Sequence, residues 1–271
     1  MTIFSLFRLS VSSILLSLCL TLSASAQSVK FEIHTNMGVM RGFLYDDTPG
    51  HRDKFVELAR SGHFDGTLFY RCVKDFVIQG GSSDSRNAKP GQHIGYGSDA
   101  VNIDSEFKKN HFHKRGALCA PRQPDKMNLF KTSDISQFYI VCGRTYTDEY
   151  LTQYEKSINL PIKKKIKEQF LNPRADELRS LRQSDPKAYN KLLTDIRDKM
   201  DFEYRISNYK EFTPEQRQAY TSIGGTPQLD NEYTVFGEIT EGLDVMEKIS
   251  LSPVDNNSRP LKDIKMTVKI L

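Results

Sequence analysis

The distribution of glycine divides this chain into two kinds of sequence. All 16 glycines lie at or before Gly143 or at or after Gly224. The segment between them is rich in Lys, Glu, Arg, Leu and Gln, and Leu192, Ile196 and Met200 recur there at helical spacing. Because glycine destabilises helix interiors and favours tight turns, the pattern predicts an all-helical segment set into a fold of another class.

Helix-start signals inside the glycine-free segment support this prediction. Asp185-Pro186 and Thr213-Pro214 each place a capping side chain before a first-turn proline. We place the helical insertion at residues 146–223. Its positive and negative charges are nearly balanced, which favours a solvated appendage packed on its own apolar stripes. The alternative is a client-binding or docking surface, or a lid, beside a site on the flanking sequence.

The flanking sequences, 27–145 and 224–271, have the patterns of β-strands. Residues 29–34 and 264–270 alternate apolar and polar side chains, as expected when one strand face is buried. Two helices, indicated at 48–62 and 242–249, would suit the open ends of a barrel. The flanks predict an antiparallel sheet closed into a barrel or sandwich. Glycine-separated apolar runs indicate the other strands, at 39–45, 67–73, 76–79, 116–120, 137–142 and 233–239.

The N-terminus has the features of a secretory signal in the expected order. Arg8 precedes an apolar, Ser-rich stretch at 9–22, which is followed by a small-residue site ending at Ala26. We expect cleavage after about Ala26, export to the periplasm or the medium, and no stable membrane insertion afterwards. The alternatives are a retained transmembrane anchor, although Ser and Ala thin the apolar run, and a lipoprotein attached through Cys19. The second is weaker because Leu18 stands where a small residue is wanted.

Charge and cysteine content narrow the function further. Of 271 residues, 38 are Lys or Arg and 34 are Asp or Glu, so the net charge of +4 is weak and mixed, and we expect no nucleic-acid partner. Cys72, Cys119 and Cys142 each lie in an apolar segment, which favours small core residues and leaves one disulfide open. His111-x-His113 lacks further ligands at a recognised spacing, so we predict a solvated loop and no metal site.

One arginine stands out because it interrupts an apolar run. The chain has no phosphate-binding glycine loop, nucleophile elbow, zinc-protease or kinase motif. Arg71 lies between Leu68 and Ile78, where an unpaired guanidinium would be costly to bury. Arg71 is therefore either aimed into a polar pocket or placed on an edge strand where its head reaches water.

Three motifs together resemble those of the cyclophilins, a family of peptidyl-prolyl cis-trans isomerases. F-x-R-x-x-x-x-F-x-x-Q-G-G is present at 69–81, S-Q-F-[FY]-I at 136–140, and L-D-x-x-[HY]-x-V-F-G at 229–237. Their order and spacing agree with the family apart from a longer loop at 122–136 and the helical insertion.

The resemblance implies a mainly β fold, a closed eight-stranded antiparallel barrel capped by two helices, here with an inserted all-helical segment. It implies that Arg71 is the catalytic arginine. Phe76 and Tyr139 are expected to form the floor and wall of a proline pocket, and Gln79 and Gln137 to hold the substrate and the arginine.

The remaining site residues are carried over from the family in the same way. Val77 stands where methionine is frequent, Leu229 matches an aliphatic pocket residue, and Tyr233 replaces a histidine. Arg122 falls where the main chain of the family usually contacts the substrate. Other departures from the family pattern lie at Ser82, Pro121, Ile135 and Gln228.

The implied function is isomerisation of X-Pro bonds in unfolded or extended exported polypeptides, which would assist their folding and require no cofactor. The alternative is a weakly catalytic or non-catalytic chaperone module that captures proline-containing clients with the helical insertion.

Overall fold

A computed structural model describes residues 28–96 and 100–271 of the chain. The signal segment expected at 1–26 lies outside the described residues. Within the two described ranges, no helix is both long and apolar enough to cross a membrane.

The described chain forms ten β-strands, eight of which close into one antiparallel barrel. In chain order they are β1 (Lys30–Thr35), β2 (Gly38–Leu44), β3 (Thr67–Val73), β4 (Val77–Gly80), β5 (Asn102–Ile103), β6 (Ala117–Cys119), β7 (Ser133–Asp134), β8 (Phe138–Val141), β9 (Val235–Glu241) and β10 (Lys265–Ile270). The barrel order is β1-β10-β3-β4-β8-β6-β9-β2, and β5 pairs with β7 in a separate sheet. The predicted closed eight-stranded antiparallel barrel is therefore confirmed, and the sandwich alternative was wrong.

Two of the six described α-helices pack on the barrel and close its core. In chain order the helices are α1 (Pro49–Arg60), α2 (Asp148–Phe170), α3 (Ala175–Ser184), α4 (Pro186–Ile206), α5 (Pro214–Ser222) and α6 (Leu243–Ser250). Phe55 of α1 and Met246 of α6 are fully buried in the same apolar core as Phe31, Phe138 and Ile140. Because strand side chains alternate between faces, the inward residues of the eight strands fill this core.

The other four helices lie in the glycine-free segment. Its predicted caps form: the Asp185 side chain accepts hydrogen bonds from the first-turn backbone of α4, and Thr213 forms a capping box with Gln216 at the start of α5. The two ends of the segment, residues 146–162 and 205–223, form its base. The base is not packed only on itself, because buried Leu151 and Tyr220 pack against Phe112 of the flanking sequence. The described insertion is thus joined to the barrel by an apolar contact of its own.

Candidate active site

A second apolar cluster lies on the outer face of the barrel. On β8, Phe138 and Ile140 point into the barrel core, whereas Tyr139 and Val141 point outward. Cross-strand pairing aligns Tyr139 with Gln79 on one side and with Cys119 on the other. β8 is apolar and buried on both faces, which is typical of a strand covered on both sides.

The structure brings the five apolar site residues together on this outer face. Val77 and Tyr139 belong to its buried part, and Phe76, Leu229 and Tyr233 pack against them while remaining partly exposed. The rings of Tyr139 and Tyr233 meet edge to face, with centroids 5.9 Å apart. These residues come from three separate stretches of the chain, around Val77, Tyr139 and Leu229, which the closed barrel brings together.

Arg71 reaches this wall because of an irregularity in β3. Phe69 pairs with Gly80 and Arg71 pairs with Gln79, so Tyr70 is an extra residue between them, as in a β-bulge. Phe69 lies in the barrel core, whereas Tyr70 and Arg71 both line cavities on the outer surface. The bulge therefore turns two consecutive side chains toward the site.

The guanidinium of Arg71 is available for a ligand. Its Cζ lies 5.8 Å from the centroid of the Phe76 ring. Within the described ranges, no carboxylate lies within salt-bridge distance of Arg71 and no hydrogen-bond acceptor is paired with it. A half-buried guanidinium keeps its charge, so Arg71 presents unpaired donors beside the apolar wall. The polar-pocket interpretation of Arg71 is the one that agrees with this geometry.

Two glutamines and a tyrosine form a hydrogen-bonded group next to Arg71. Gln79 Nε2 donates to the Tyr70 hydroxyl at 2.7 Å and to Gln137 Oε1 at 3.2 Å, and the Tyr70 hydroxyl also donates to Gln137 Oε1. Gln137 Nε2 donates to Asp134 Oδ2 at 2.7 Å. Burial raises the pKa of Tyr70, so its hydroxyl stays protonated. Sequence reasoning missed Tyr70 because nothing in the alternation of β3 indicates the bulge. It missed Asp134 because this residue lies just before the S-Q-F-[FY]-I motif and not within it.

Two adjoining cavities border this group. One, of about 200 Å³, is lined by four of the expected site residues, namely Arg71, Gln79, Arg122 and Gln137. The other, of about 240 Å³, is also lined by Tyr70 and Arg71, and in addition by Arg259. Arg71 therefore borders both cavities.

The side chain of Arg122 is fully occupied by contacts within the protein. Its Nε donates to the Glu232 carbonyl at 2.6 Å, and its terminal nitrogens bind the carboxylates of Glu232 and Asp125. Its Cζ also lies 4.9 Å from the centroid of the Tyr233 ring. The side chain thus fixes Tyr233 and the following loop. The expected main-chain contact to a substrate stays a prediction.

The solvated-loop prediction for His111 and His113 was wrong. His113 is 1% exposed, its Nδ1 lies 3.1 Å from Asp230 Oδ1, and its Nε2 lies 2.9 Å from the Tyr139 hydroxyl. His111 stacks on Tyr45 with ring centroids 3.6 Å apart. The pocket residue Tyr139 is therefore supported by a buried polar group formed by His113 and Asp230. Local sequence patterns do not predict this group, because its members are far apart in the chain.

The arrangement suits binding and polarisation rather than covalent chemistry. The three cysteines in the described part of the chain, Cys72, Cys119 and Cys142, are buried free thiols. Burial raises the pKa of Cys72 and of Cys142 to about 12, so neither is a thiolate near neutral pH. No cluster of three or more His, Cys, Asp or Glu side chains in residues 28–96 and 100–271 is arranged to hold a metal ion. What the site offers is an apolar wall, amide groups and one unpaired cation.

Comparisons with known proteins agree with this geometry. The family model of the cyclophilin type peptidyl-prolyl cis-trans isomerases matches residues 30–154 and 205–269, and leaves the outer part of the helical insertion unmatched. A protein of Staphylococcus saprophyticus, provisionally named a peptidyl-prolyl cis-trans isomerase, is 28% identical over 242 residues, which cover 89% of this chain and 90% of that protein. A protein of Staphylococcus aureus with the same provisional name is 27% identical over 240 residues, covering 87% and 88% of the two chains.

A solved structure shares the fold at lower identity. A cyclophilin of Cryptosporidium parvum superposes with a TM-score of 0.51 at 18% identity, covering 90% of this chain and 98% of that one. The barrel, the three motifs and the matched family model lead to one assignment: this chain belongs to the cyclophilin-type peptidyl-prolyl cis-trans isomerase family.

Proposed function

We propose that the protein accelerates rotation about X-Pro bonds in unfolded or extended exported polypeptides and thereby assists their folding. The observation that carries the proposal is the unpaired guanidinium of Arg71, whose Cζ lies 5.8 Å from the ring centroid of Phe76. The proline-pocket residues expected from the sequence lie together on the same outer face.

The reaction needs only binding and electrostatics. Amide conjugation sets a rotation barrier of about 18–20 kcal/mol, and the cis and trans forms of an X-Pro bond differ by only about 0.5–1 kcal/mol. Catalysis therefore means stabilising the twisted state. The apolar wall formed by Phe76, Val77, Tyr139 and Leu229 holds the pyrrolidine ring. Arg71 donates to the prolyl nitrogen when its lone pair leaves conjugation, an interaction stronger in the twisted state than in either planar state.

Isomerisation of a short Xaa-Pro peptide tests the proposal. We expect the chain from Gln27 to accelerate isomerisation well above the spontaneous rate and Arg71→Ala to lower kcat/KM by about 100-fold, the typical effect of losing a preorganised donor. Arg60→Ala, which removes an exposed arginine from the last turn of α1, is the matched control and should keep the wild-type rate. A folded wild type without acceleration would refute the enzymatic proposal.

Export is part of the same proposal and has its own test. It is supported by the order of features in the N-terminal sequence, a basic residue, an apolar stretch and a site ending at Ala26. When the full chain is produced in a bacterium, we expect the protein outside the cytoplasm with Gln27 as its first residue. A cytoplasmic, uncleaved chain would contradict this.

A chaperone function of the insertion is the second candidate. Three large apolar side chains of the helical insertion are strongly exposed: Leu160 on α2, and Phe202 and Ile206 one turn apart on α4. Exposed apolar patches can mark sites that bind unfolded protein. This candidate adds client capture to the isomerase and is tested separately from it.

A further inference from the structure

The helical insertion carries one charged residue into the interior beneath the pocket wall. Lys210 follows α4, and its side chain is 10% exposed. Its Nζ lies 3.1 Å from Asp230 Oδ2, 3.3 Å from the Pro227 carbonyl and 4.7 Å from the centroid of the Phe212 ring. A buried ammonium is tolerated when it is paired and hydrogen-bonded, so Lys210 and Asp230 form a matched pair.

The position of Lys210 is set by another residue of the insertion. Asn159 on α2 donates from Nδ2 to the Lys210 carbonyl and accepts from the Lys210 amide, both at 2.7 Å. This two-point contact ties the chain after α4 to α2. The backbone of Lys210 is therefore held by the folded base of the insertion, whereas its ammonium binds Asp230 and Pro227 of the flanking sequence.

Asp230 collects donors from three directions. Besides Lys210, it accepts from the Tyr220 hydroxyl at 2.8 Å, from the backbone N–H of His113 at 2.9 Å and from His113 Nδ1 at 3.1 Å. Burial by itself would raise the pKa of Asp230, but the hydrogen bonds from His113 and the charge of Lys210 lower it below its ordinary value. The carboxylate is thus ionised and acts only as an acceptor.

The ionised carboxylate determines which nitrogen of His113 carries the proton. With Nδ1–H donating to Asp230, Nε2 is left as an acceptor, and the Tyr139 hydroxyl lies 2.9 Å from it. Burial raises the pKa of Tyr139, so its hydroxyl remains a donor. In this tautomer the hydrogen bonds run in one direction, from Tyr139 to His113 to Asp230, and Lys210 closes the series.

We propose that Lys210 is a positioning residue for the proline pocket: its ammonium holds Asp230 as a carboxylate, which fixes His113 as the Nδ1–H tautomer and thereby orients the ring of Tyr139. The expected change in kcat/KM rests on the proposed function, whereas the tautomer of His113 and the orientation of Tyr139 do not. It gives the base of the insertion a role in the site, whereas the outer part contributes no residue to the outer apolar cluster or to this series.

The test combines kinetics with a spectroscopic signature of His113. In Lys210→Met, the buried Asp230 loses its balancing ammonium and should take up a proton, so it no longer acts only as an acceptor and no longer fixes the tautomer of His113. Long-range ¹H–¹⁵N spectra should show the Nδ1–H tautomer in the wild type and the loss of that single-tautomer pattern in the variant. We expect kcat/KM to fall about tenfold, while Lys165→Met, the same change on the exposed face of α2, should match the wild type.

A double variant separates charge balance from simple structural damage. Lys210→Met with Asp230→Asn removes both charges and keeps an acceptor for Nδ1–H, so it should restore the tautomer and bring kcat/KM to within about threefold of the wild type. Losses that add in the double variant, or a His113 tautomer and rate unchanged in Lys210→Met, would overturn the proposal. If Lys210→Met does not fold, the double variant should still fold. A double variant that does not fold would also overturn the proposal. A wild type without isomerase activity would refute the proposed function. The His113 spectra would still test whether Lys210 controls the hydrogen bonds from Tyr139 through His113 to Asp230.

Discussion

Tyr70 and Arg71 are neighbours on the same outer surface, but their polar groups are in opposite states. The hydroxyl of Tyr70 is satisfied by Gln79 and Gln137, whereas the guanidinium of Arg71 lies over the Phe76 ring and has no hydrogen-bond or ion-pair partner among the described residues. A hydroxyl that is hydrogen-bonded on both sides holds its partners in place, whereas a cation without hydrogen-bond partners can bind a ligand. The two amides are thus preorganised around a donor that is kept for the substrate.

Tyr70→Phe tests this preorganisation. The change removes the hydroxyl that joins Gln79 and Gln137 while keeping the buried ring. We expect kcat/KM for a proline peptide to fall roughly three- to tenfold, since a net hydrogen bond contributes about 0.5–1.5 kcal/mol and about 1.4 kcal/mol corresponds to tenfold. Tyr204→Phe in the insertion, whose ring stacks on Tyr209, is the control. An unchanged rate in folded Tyr70→Phe would show that the hydroxyl does not position the amides.

At the scale of elements, the insertion leaves and re-enters the barrel at one place. Arg144 and Gly225 exchange backbone hydrogen bonds, at 3.2 Å from the Arg144 amide and at 3.0 Å from the Gly225 amide. Farther out, the Tyr146 amide donates to the Tyr220 carbonyl at 2.9 Å. Because the two ends are paired, the barrel strands on either side keep their register despite the inserted helices.

Gly225→Ala should disturb this junction. A Cβ at Gly225 would lie 2.3 Å from the His113 carbonyl oxygen and 2.6 Å from the Tyr220 ring, and neither can move without disturbing the buried polar group. We expect the free energy of unfolding in urea to fall by about 1–3 kcal/mol more than in Gly66→Ala. Gly66 is the matched control, because it also has a positive φ but a Cβ there meets nothing within 4 Å. Equal losses in the two variants would mean that the junction tolerates the added atom.

At the scale of the whole molecule, the insertion has a base that supports the barrel and an outer arm that does not. We define the arm as residues 163–204, since Lys163 and Tyr204 mark its near end, with Nζ 5.0 Å from the ring centroid. The base keeps Asn159 and Lys210 together. The arm packs mainly through α2, α3 and α4 on one another.

Excising residues 164–203 and joining the ends with a short Gly-Ser linker should therefore leave the pocket intact. We expect kcat/KM for a short peptide to stay within about twofold of the wild type, because no contact to the outer apolar cluster is lost. Removing all of 146–223 should instead yield little folded protein, because His113 and Asp230 would lose their buried partners. A large loss of peptide activity on excising the arm would contradict this division.

The same excision tests client capture by the arm. Phe202 is removed, and Leu160 and Ile206 lose their neighbours on the arm. If these exposed side chains bind clients, the excised protein should keep peptide isomerisation but lose suppression of aggregation of an unfolded, proline-containing protein. Equal suppression by both proteins would place any client binding on the barrel or on the base of the insertion, where Leu160 and Ile206 remain.

Local patterns predicted the elements of this protein well, and they predicted part of the site. Strand alternation, glycine spacing and capping signals depend on interactions within a few residues, so β1, β10 and the starts of α4 and α5 were found where expected. The motifs named Arg71, Phe76 and Tyr139, which the structure places on one surface. The bulge at Tyr70 and the burial of His113 could not be found this way, because each depends on strands that are distant in sequence.

What the sequence alone determined is the kind of element each segment forms and the family to which the motifs belong, since both are encoded in short stretches of chain. What only the tertiary structure decided is which side chains share an environment. Lys210, Asp230 and His113 belong to separate segments, and the side chains of this group are buried within hydrogen-bond distance of one another only after the insertion folds back onto the barrel. A buried charge is stable only when its partners are in place, so the role of these residues exists in the folded molecule and in no local pattern.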